Sequence, residues 1–327
     1  MFDSHKPTID LVLPGLLNLP VDELDVEALA NSTPALHKLL RYADRVNNTD
    51  SDFDAVLIKR LGLKQAALPY AHAFNPDNNS QQLLFRFIHL KADINNAIVF
   101  PVEIDGHKFD LLINDLKEFF KVDCDIKTLP DNSGLMTLFN TQAITGTPHY
   151  LSALGKKVTH YLDHSNTNLQ WLKLFNEMQM FLYQHEINQQ RQLKGQPLIN
   201  SLWCWGADSY KAEKLENTRW FSNDSHCQKM GDLYCGNSAT LEDINKSAIN
   251  SNAIIVDLSI LKFLKGQNDI NIQQAVESAE QNYLAPLMHS KKHNIVVHTT
   301  GDFNLHYKPS MAWKWWKKAR TFSDLSV

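Results

Sequence analysis

Apolar positions along the chain fall into short, β-branched runs separated by longer helical repeats. "TIDLVLPGLL" predicts a buried first strand that enters a Pro-Gly turn. "QQLLFRFIHLKAD" alternates as a strand does, and "SNAIIVDLSIL" and "HNIVVHTT" predict two further buried strands. "CDIKTL" and "GLMTLF" flank the turn-forming "PDNSG" and predict a hairpin.

Helical repeats lie between these runs. "STPALHKLLRYAD" predicts a helix with Ser32 or Thr33 at the N-cap and Pro34 in the first turn. "FDAVLIKRLGL", "FDLLINDLKEFFKVD" and "IQQAVESAEQNYLAPLM" predict three more helices. "NLQWLKLFNEMQMFLYQHEINQQRQLKG" reads as one continuous helix that Gly195 ends, with His185 on its apolar face. Strands interleaved with helices indicate an α/β architecture.

Composition narrows the class of protein. A chain of 327 residues predicts about two domains or one large α/β unit. A formal net charge of -4 argues against a general nucleic-acid binder. No apolar stretch approaches the roughly 18 residues of a membrane span, and the first residues do not resemble a signal peptide. None of the four cysteines forms a C-x-x-C pair, so we expect a reduced, cytoplasmic protein.

The most informative stretch is the helix end together with "INSLWCWGAD". His185, Asn188 and Arg191 follow one another at about one helical turn, and arginine offers a fork suited to phosphate or carboxylate. Further along come a polar side chain, two indole faces and a permissive backbone position: Asn200, Trp203, Trp205 and Gly206. Two interpretations stay open. The helix end packs under the tryptophans while Asn200 binds backbone, or the group binds a small anionic ligand.

Other segments carry weaker candidates. In "FRFIHLKAD" a strand directs Arg86 to one face and His89 and Asp93 to the other, as ligand contacts or as solvated edge charges. In "TTGDFNLHY" Asp302 follows a buried strand, where α/β proteins often bind ligands, although an ordinary turn explains it too. The basic and aromatic "AWKWWKKAR" suits an anionic partner or a packed terminal segment.

The order of segments resembles one bacterial family. "TPALHKLL", "FRFIHLKAD", "NYLAPLM" and the run H-x-x-N-x-x-R…G…N-S-x-W-x-W-G are similar to RpfE-type regulatory proteins, relatives of archaeal-type cofactor-independent phosphoglycerate mutases. The resemblance implies an alkaline-phosphatase-like fold, with a mixed β-sheet flanked by helices and a smaller inserted or adjoining α/β lobe. On this reading 1–80 and 206–327 form the core, and 81–205 form the lobe that ends in the Trp-rich motif.

Active members of that superfamily use two divalent metals and a nucleophilic serine, and this sequence departs from their motifs. Pro14 and Gly15 stand where the Asp-Gly metal ligand is expected after the first strand. "LGLKQAALPYAH" offers no serine at the corresponding nucleophile position. Phe303 replaces the histidine of a D-H pair, and its side chain cannot bind a metal. The resemblance therefore implies a degenerate site.

Three hypotheses follow. The first is a pseudoenzyme of the phosphoglycerate mutase type that binds a phosphorylated or other small anionic metabolite in a regulatory role, with no cofactor and with a regulatory protein as a possible partner. The second is an active phosphotransferase or phosphatase that uses manganese or zinc, with Asp302, His306 or His298 in a rearranged metal site. The third is a protein-interaction scaffold that uses the Trp- and Lys-rich terminus.

Overall fold

The computed structural model describes residues 6–20, 22, 24–77, 80–93, 96–142, 144–158, 168–209, 214–246, 249–267 and 271–313. It divides into two compact units. Unit 1 comprises Met1–Leu61 and Ala212–Val327, and unit 2 comprises Gly62–Lys211. Residues 62–80 and 206–211, which the sequence groups with the core, belong to unit 2. A backbone hydrogen bond joins these two segments, because the amide of Ala71 donates to the carbonyl of Gly206 at 3.1 Å.

The strands and helices lie where the apolar runs predict most of them. The strands are β1 Thr8–Val12, β2 Asp44–Asn47, β3 Gln82–Asp93, β4 Asn96–Pro101, β5 Cys124–Thr128, β6 Gly134–Leu138, β7 Ser201–Trp205, β8 Thr218–Ser222, β9 Asn252–Val256, β10 Asn294–His298 and β11 Phe303–Tyr307. The helices are α1 Val26–Ser32, α2 Pro34–Tyr42, α3 Phe53–Arg60, α4 Tyr70–Phe74, α5 Gly106–Phe119, α6 Tyr150–Ala153, α7 Leu169–Gln184, α8 Glu186–Leu193, α9 Ser225–Cys235, α10 Ser259–Leu264, α11 Ile272–Ala279 and α12 Ala285–Ser290. A π-helical segment, Glu280–Leu284, joins α11 to α12.

Unit 1 contains a mixed six-stranded sheet in the order β2-β11-β10-β1-β9-β8. Strands β10, β1, β9 and β8 are parallel, and β11 is antiparallel to β10. Val12 lies opposite His298 and Val256, and Val256 lies opposite Ser222, so four strands end at one level. Alternation directs Ile9 and Leu11 into a core that also includes α2 and α11, while Asp10 faces the other side.

Unit 2 contains an antiparallel sheet in the order β4-β3-β6-β5, with β7 also paired to β3. The predicted hairpin is confirmed, because Cys124 lies opposite Leu138 and Thr128 opposite Gly134. Helices α5 and α7 bury their apolar sides in the core of this unit, where Phe109 and Met178 are fully covered. The predicted class, a mixed α/β fold with helices flanking the sheets, is thus confirmed. None of the described helices combines the length and the apolar character that crossing a membrane requires.

The N-terminus of α2 is capped by a distant residue. Thr33 occupies the predicted N-cap position, but its hydroxyl donates to the carbonyl of Leu29 at 2.6 Å. The buried carboxylate of Glu280 accepts hydrogen bonds from the amides of Ala35 at 2.7 Å and Leu36 at 2.9 Å. The π-helical segment therefore supplies the negative charge that a helix N-terminus favours.

Replacing Glu280 with glutamine is expected to lower the free energy of unfolding by about 2 kcal/mol. The amide has a single acceptor oxygen and no charge, so it leaves one of the two N–H groups of α2 without a carboxylate partner. Urea denaturation monitored by circular dichroism measures the change. The same substitution at the exposed Glu216 serves as a control and should change stability by less than about 0.5 kcal/mol. Equal values for the two variants would contradict the capping role.

Candidate functional site

The Trp-rich run forms strand β7, which is buried along its whole length. Asn200 precedes it and bridges β3, with Oδ1 accepting from the amide of Leu90 at 2.7 Å and Nδ2 donating to its carbonyl at 3.0 Å. The indole of Trp203 donates to the carbonyl of Pro148 at 3.0 Å. The ring of Trp205 is completely covered and stacks on Tyr150 at 6.2 Å. These contacts hold β7 in its sheet, so they account for a structural role of the run.

Gly206 closes the run at φ +76°, in the left-handed region that glycine adopts most easily. A Cβ at this position would lie 2.9 Å from Cβ of Tyr70 and 3.0 Å from the amide nitrogen of Ala71. Glycine is therefore required by both its backbone angle and the close approach of α4.

The prediction of one continuous helix through His185 is wrong. Helix α7 ends at Gln184, and His185 takes an extended conformation with ψ 141° as the N-cap of α8. Its Nδ1 accepts from the amide of Ile187 at 3.2 Å, and its Nε2 lies 3.0 Å from Oδ2 of Asp115. A side chain that can accept locally from the backbone competes with the helix, which is how His185 ends one helix and begins the next.

Asn188 and Arg191 both lie on α8, and both are buried. Asn188 donates to the carbonyls of Leu182 at 2.6 Å and Ile199 at 2.7 Å, and accepts from the amide of Ile199 at 2.8 Å. Arg191 donates through Nε to the carbonyl of Pro197 at 2.6 Å and through Nη1 to that of Glu103 at 2.9 Å. Burial lowers the pKa of Arg191. The predicted ligand contacts are thus bonded to backbone, and their role in binding an anion stays a prediction.

The candidates on β3 also have protein partners. Arg86 donates through Nη2 to the carboxylate of Asp131 at 3.0 Å and lies over the ring of Tyr150. Nδ1 of His89 lies 2.9 Å from the carbonyl of Leu198, to which it donates. Asp93 ends β3, and its side chain lies outside the described residues. The tryptophans and lysines of 314–327 also lie outside them.

The carboxyl edge of the parallel sheet in unit 1 carries charged side chains that the sequence reading missed. Asp224 comes just after β8, and its Oδ2 lies 2.8 Å from Nζ of Lys262 on α10. Asp257 comes just after β9, and its Oδ2 accepts from the hydroxyl of Tyr283 at 2.8 Å. Both carboxylates are buried. The register of the strand ends brings these residues to one edge, and we call Asp224, Asp257 and Lys262 the strand-end cluster.

His226 and Cys227 open α9 beside the strand-end cluster, and both are buried. A carboxylate oxygen of Asp224 and a ring nitrogen of His226 lie within 4.8 Å of one another. Burial, together with the charges of Asp224 and Asp54, raises the pKa of the Cys227 thiol well above its ordinary value. Cys227 is therefore a neutral thiol near pH 7 and a poor nucleophile.

A second cluster of polar side chains lies on the face of the unit 1 sheet opposite the main core. Oδ1 of Asp10 lies 2.9 Å from Nε2 of His298 and 3.0 Å from Nε of Arg60. His306 stands opposite Asp44 in the β11–β2 pair. Burial, and then the charges of His298 and Arg60, lower the pKa of His306, so this imidazole is neutral at pH 7.

The backbone that follows β1 and the backbone at the candidate metal ligand Asp302 both form hydrogen bonds within unit 1. After β1, the amide of Leu13 donates to the backbone carbonyl of His298 at 2.9 Å. The amide of Gly15 donates to the backbone carbonyl of Thr299 at 3.1 Å. Asp302 is exposed, and its carbonyl accepts from Asn48 at 2.9 Å. The roles of Asp302 and His306 as metal ligands stay predictions.

Comparison with known proteins reports on the fold. No protein-family model matches this chain, and no curated protein matches it by sequence. Several solved structures are similar in fold, including the two that follow. A cofactor-independent phosphoglycerate mutase from Thermoplasma acidophilum DSM 1728 is 13% identical, with 93% of this chain and 90% of that chain covered and a TM-score of 0.38. The PH0037 protein from Pyrococcus horikoshii is 14% identical, with 93% and 88% covered and a TM-score of 0.48. At this sequence identity and TM-score, the similarity gives no information about the candidate site.

Proposed function

We propose that this chain is a phosphoglycerate-mutase-like protein of the RpfE type that binds a small anionic, phosphorylated metabolite in a regulatory role and does not transfer the phosphate. The supporting observation is the strand-end cluster, whose carboxylates are all bonded to protein donors. Oδ1 of Asp224 accepts from the amides of His226 and Cys227, each at 3.1 Å, and Oδ2 faces the ammonium of Lys262.

Asp257 supports the same proposal. Its Oδ1 accepts from the amide of Ser259 at 2.9 Å, and its Oδ2 accepts from the hydroxyl of Tyr283. A two-metal site needs carboxylate oxygens that are available to the ions. Here a lysine ammonium takes the position of a cation beside Asp224, and Leu13, Pro14 and Gly15 follow β1 without a carboxylate. These donor groups do not fit a two-metal centre.

For the ligand we assign the contact with the anion to Lys262. Its side chain is 33% exposed, and its ammonium pairs with Asp224. It also lies at the carboxyl edge of a parallel sheet, where α/β proteins commonly bind ligands. Arg191 is a poorer choice, because two of its nitrogens already donate to backbone carbonyls.

One observation favours the alternative, an active phosphotransferase or phosphatase that uses manganese or zinc. The ligand-type atoms of Asp224 and His226 lie within 4.8 Å of one another, a spacing that one divalent ion could bridge after Lys262 moves away. The third hypothesis, a scaffold that uses the Trp- and Lys-rich terminus, rests on residues outside the described part.

Metal analysis, enzyme assays and calorimetry together test the proposal. After treatment with EDTA and reconstitution with manganese or zinc, the protein should retain far less than one equivalent of metal. It should neither hydrolyse p-nitrophenyl phosphate nor interconvert phosphoglycerates. Titration calorimetry should detect binding of 3-phosphoglycerate to the wild-type protein. Lys262→Met should weaken this binding about tenfold, as expected for the loss of a contact between opposite charges.

Lys246→Met is the matched control, because Lys246 forms an exposed ion pair with Asp243 at 2.9 Å. It should leave the affinity for 3-phosphoglycerate unchanged. One equivalent of bound metal together with hydrolysis that Asp224→Asn abolishes would establish the alternative. Equal affinities of wild type and Lys262→Met would refute the assignment of Lys262.

A further inference from the structure

Unit 2 contains a partly open cavity of about 200 Å³ beside the Trp-rich strand. Strands β3 and β7 form one wall through Ile88, Leu90 and Trp203, and α7 forms another through Trp171 and Phe175. We propose that this cavity is a binding site for a neutral molecule with an apolar body, the size of a substituted benzene, and one hydroxyl group. The site lies wholly within unit 2 and does not depend on the function proposed above.

The lining decides the charge of the ligand. Fourteen described residues line the cavity, and none of them is Asp, Glu, Lys, Arg or His. An ionised group entering such a site would lose its hydration without gaining an opposite charge, which is very unfavourable. The cavity therefore selects neutral molecules and excludes the phosphorylated ligand proposed for unit 1.

The volume decides the size of the ligand. An apolar cavity of about 150 Å³ is known to bind benzene, which has six non-hydrogen atoms. In proportion, 200 Å³ suits a molecule of about eight non-hydrogen atoms. Indole and phenyl rings line the cavity through Trp171, Phe175 and Trp203, and such rings favour edge or offset contacts with another aromatic ring.

Polar groups occupy only part of the lining. Asn176 and Gln179 lie one turn apart on α7, and Nε2 of Gln179 donates to Oγ of Ser201 at 2.8 Å. Thr147 is buried, and its hydroxyl has no hydrogen-bond partner among the described residues. A buried hydroxyl without a partner costs about 1–3 kcal/mol. Rotation about χ1 allows Thr147 to turn its hydroxyl to a hydroxyl on the ligand, which removes that cost.

Calorimetry with p-cresol and benzylamine tests this site, because both have one aromatic ring and eight non-hydrogen atoms and only benzylamine is charged at pH 7. We expect saturable binding of p-cresol at a one-to-one ratio and binding of benzylamine at least tenfold weaker. Ile144→Phe fills the cavity and should weaken p-cresol binding more than tenfold. Thr147→Val removes the hydroxyl and should weaken it about fivefold, a factor that corresponds to about 1 kcal/mol.

Val122→Phe is the matched control, since Val122 is an exposed residue of unit 2 that does not line the cavity. It should bind p-cresol as the wild type does. Leu172→Trp is a second filling variant, to be used if Ile144→Phe fails to fold. The proposal is overturned if p-cresol shows no saturable binding, if benzylamine binds equally well, or if the filling variants bind p-cresol with unchanged affinity.

Discussion

Replacing Asn188 with leucine is expected to lower the free energy of unfolding by about 4 kcal/mol, because three buried backbone groups lose their partners. Asn188 donates to the carbonyls of Leu182 and Ile199 and accepts from the amide of Ile199. Leucine has the same number and branching of side-chain non-hydrogen atoms as asparagine, so the substitution leaves no cavity and removes the three hydrogen bonds. Urea denaturation followed by circular dichroism and by tryptophan fluorescence measures it.

Gln189→Leu provides the control on the same helix. Gln189 is exposed, and its side chain makes a long contact of 3.5 Å with the carbonyl of Gln184. This variant should change stability by less than about 0.5 kcal/mol. If Asn188→Leu is no less stable than Gln189→Leu but fails to bind 3-phosphoglycerate, Asn188 is a ligand contact, as the sequence interpretation has it, and the structural account is wrong.

Replacing Gly206 with alanine is expected to lower the free energy of unfolding by about 3 kcal/mol. About 1 kcal/mol comes from placing a Cβ at φ +76°. The rest comes from the collision of that Cβ with the backbone of α4, because the amide nitrogen of Ala71 lies 3.0 Å from its position. Backbone cannot rotate away as a side chain can, and Ala71 also donates to the carbonyl of Gly206.

Gly195→Ala separates the two contributions. Gly195 has a similar φ of +64°, but a Cβ there would meet nothing within 4 Å. It should therefore cost only about 1 kcal/mol, the contribution of the backbone angle. Thermal or urea denaturation of the two variants side by side measures the difference. Equal losses of stability would show that the close approach of α4 contributes nothing.

Periodicity alone predicted the elements with strong apolar patterns. The β-branched runs of β1, β9 and β10 lie in the centre of the sheet of unit 1, and the hairpin of β5 and β6 follows its turn residues. Periodicity fails where the apolar repeat and a local side-chain hydrogen bond favour different structures. The apolar repeat runs straight through His185, but a ring nitrogen that accepts from the amide of Ile187 ends α7 there. A pattern of hydrophobicity carries no information about such a local bond.

The candidate site shows a similar division. The expectation that ligand groups follow the strands led to Asp302 and missed Asp224 and Asp257. Strand β8, "TRWFS", is too short and too mixed in polarity to be predicted, so the sequence does not show that Asp224, two residues further on, follows a strand. Asp257 stood inside a longer predicted strand, whereas β9 ends at Val256. Only parallel pairing brings the ends of β8 and β9 to one level.

By itself, the sequence determined the α/β class, most of the buried strands and the absence of an Asp-Gly pair after the first one. It also singled out "INSLWCWGAD", but not what its residues contact. The tertiary structure decided that Asn188, Arg191 and Asn200 bond to backbone, and that Gly206 lies against α4. The reason is physical. Residue types determine which bonds a side chain can make, whereas its partner depends on chain segments that only folding brings within hydrogen-bonding distance.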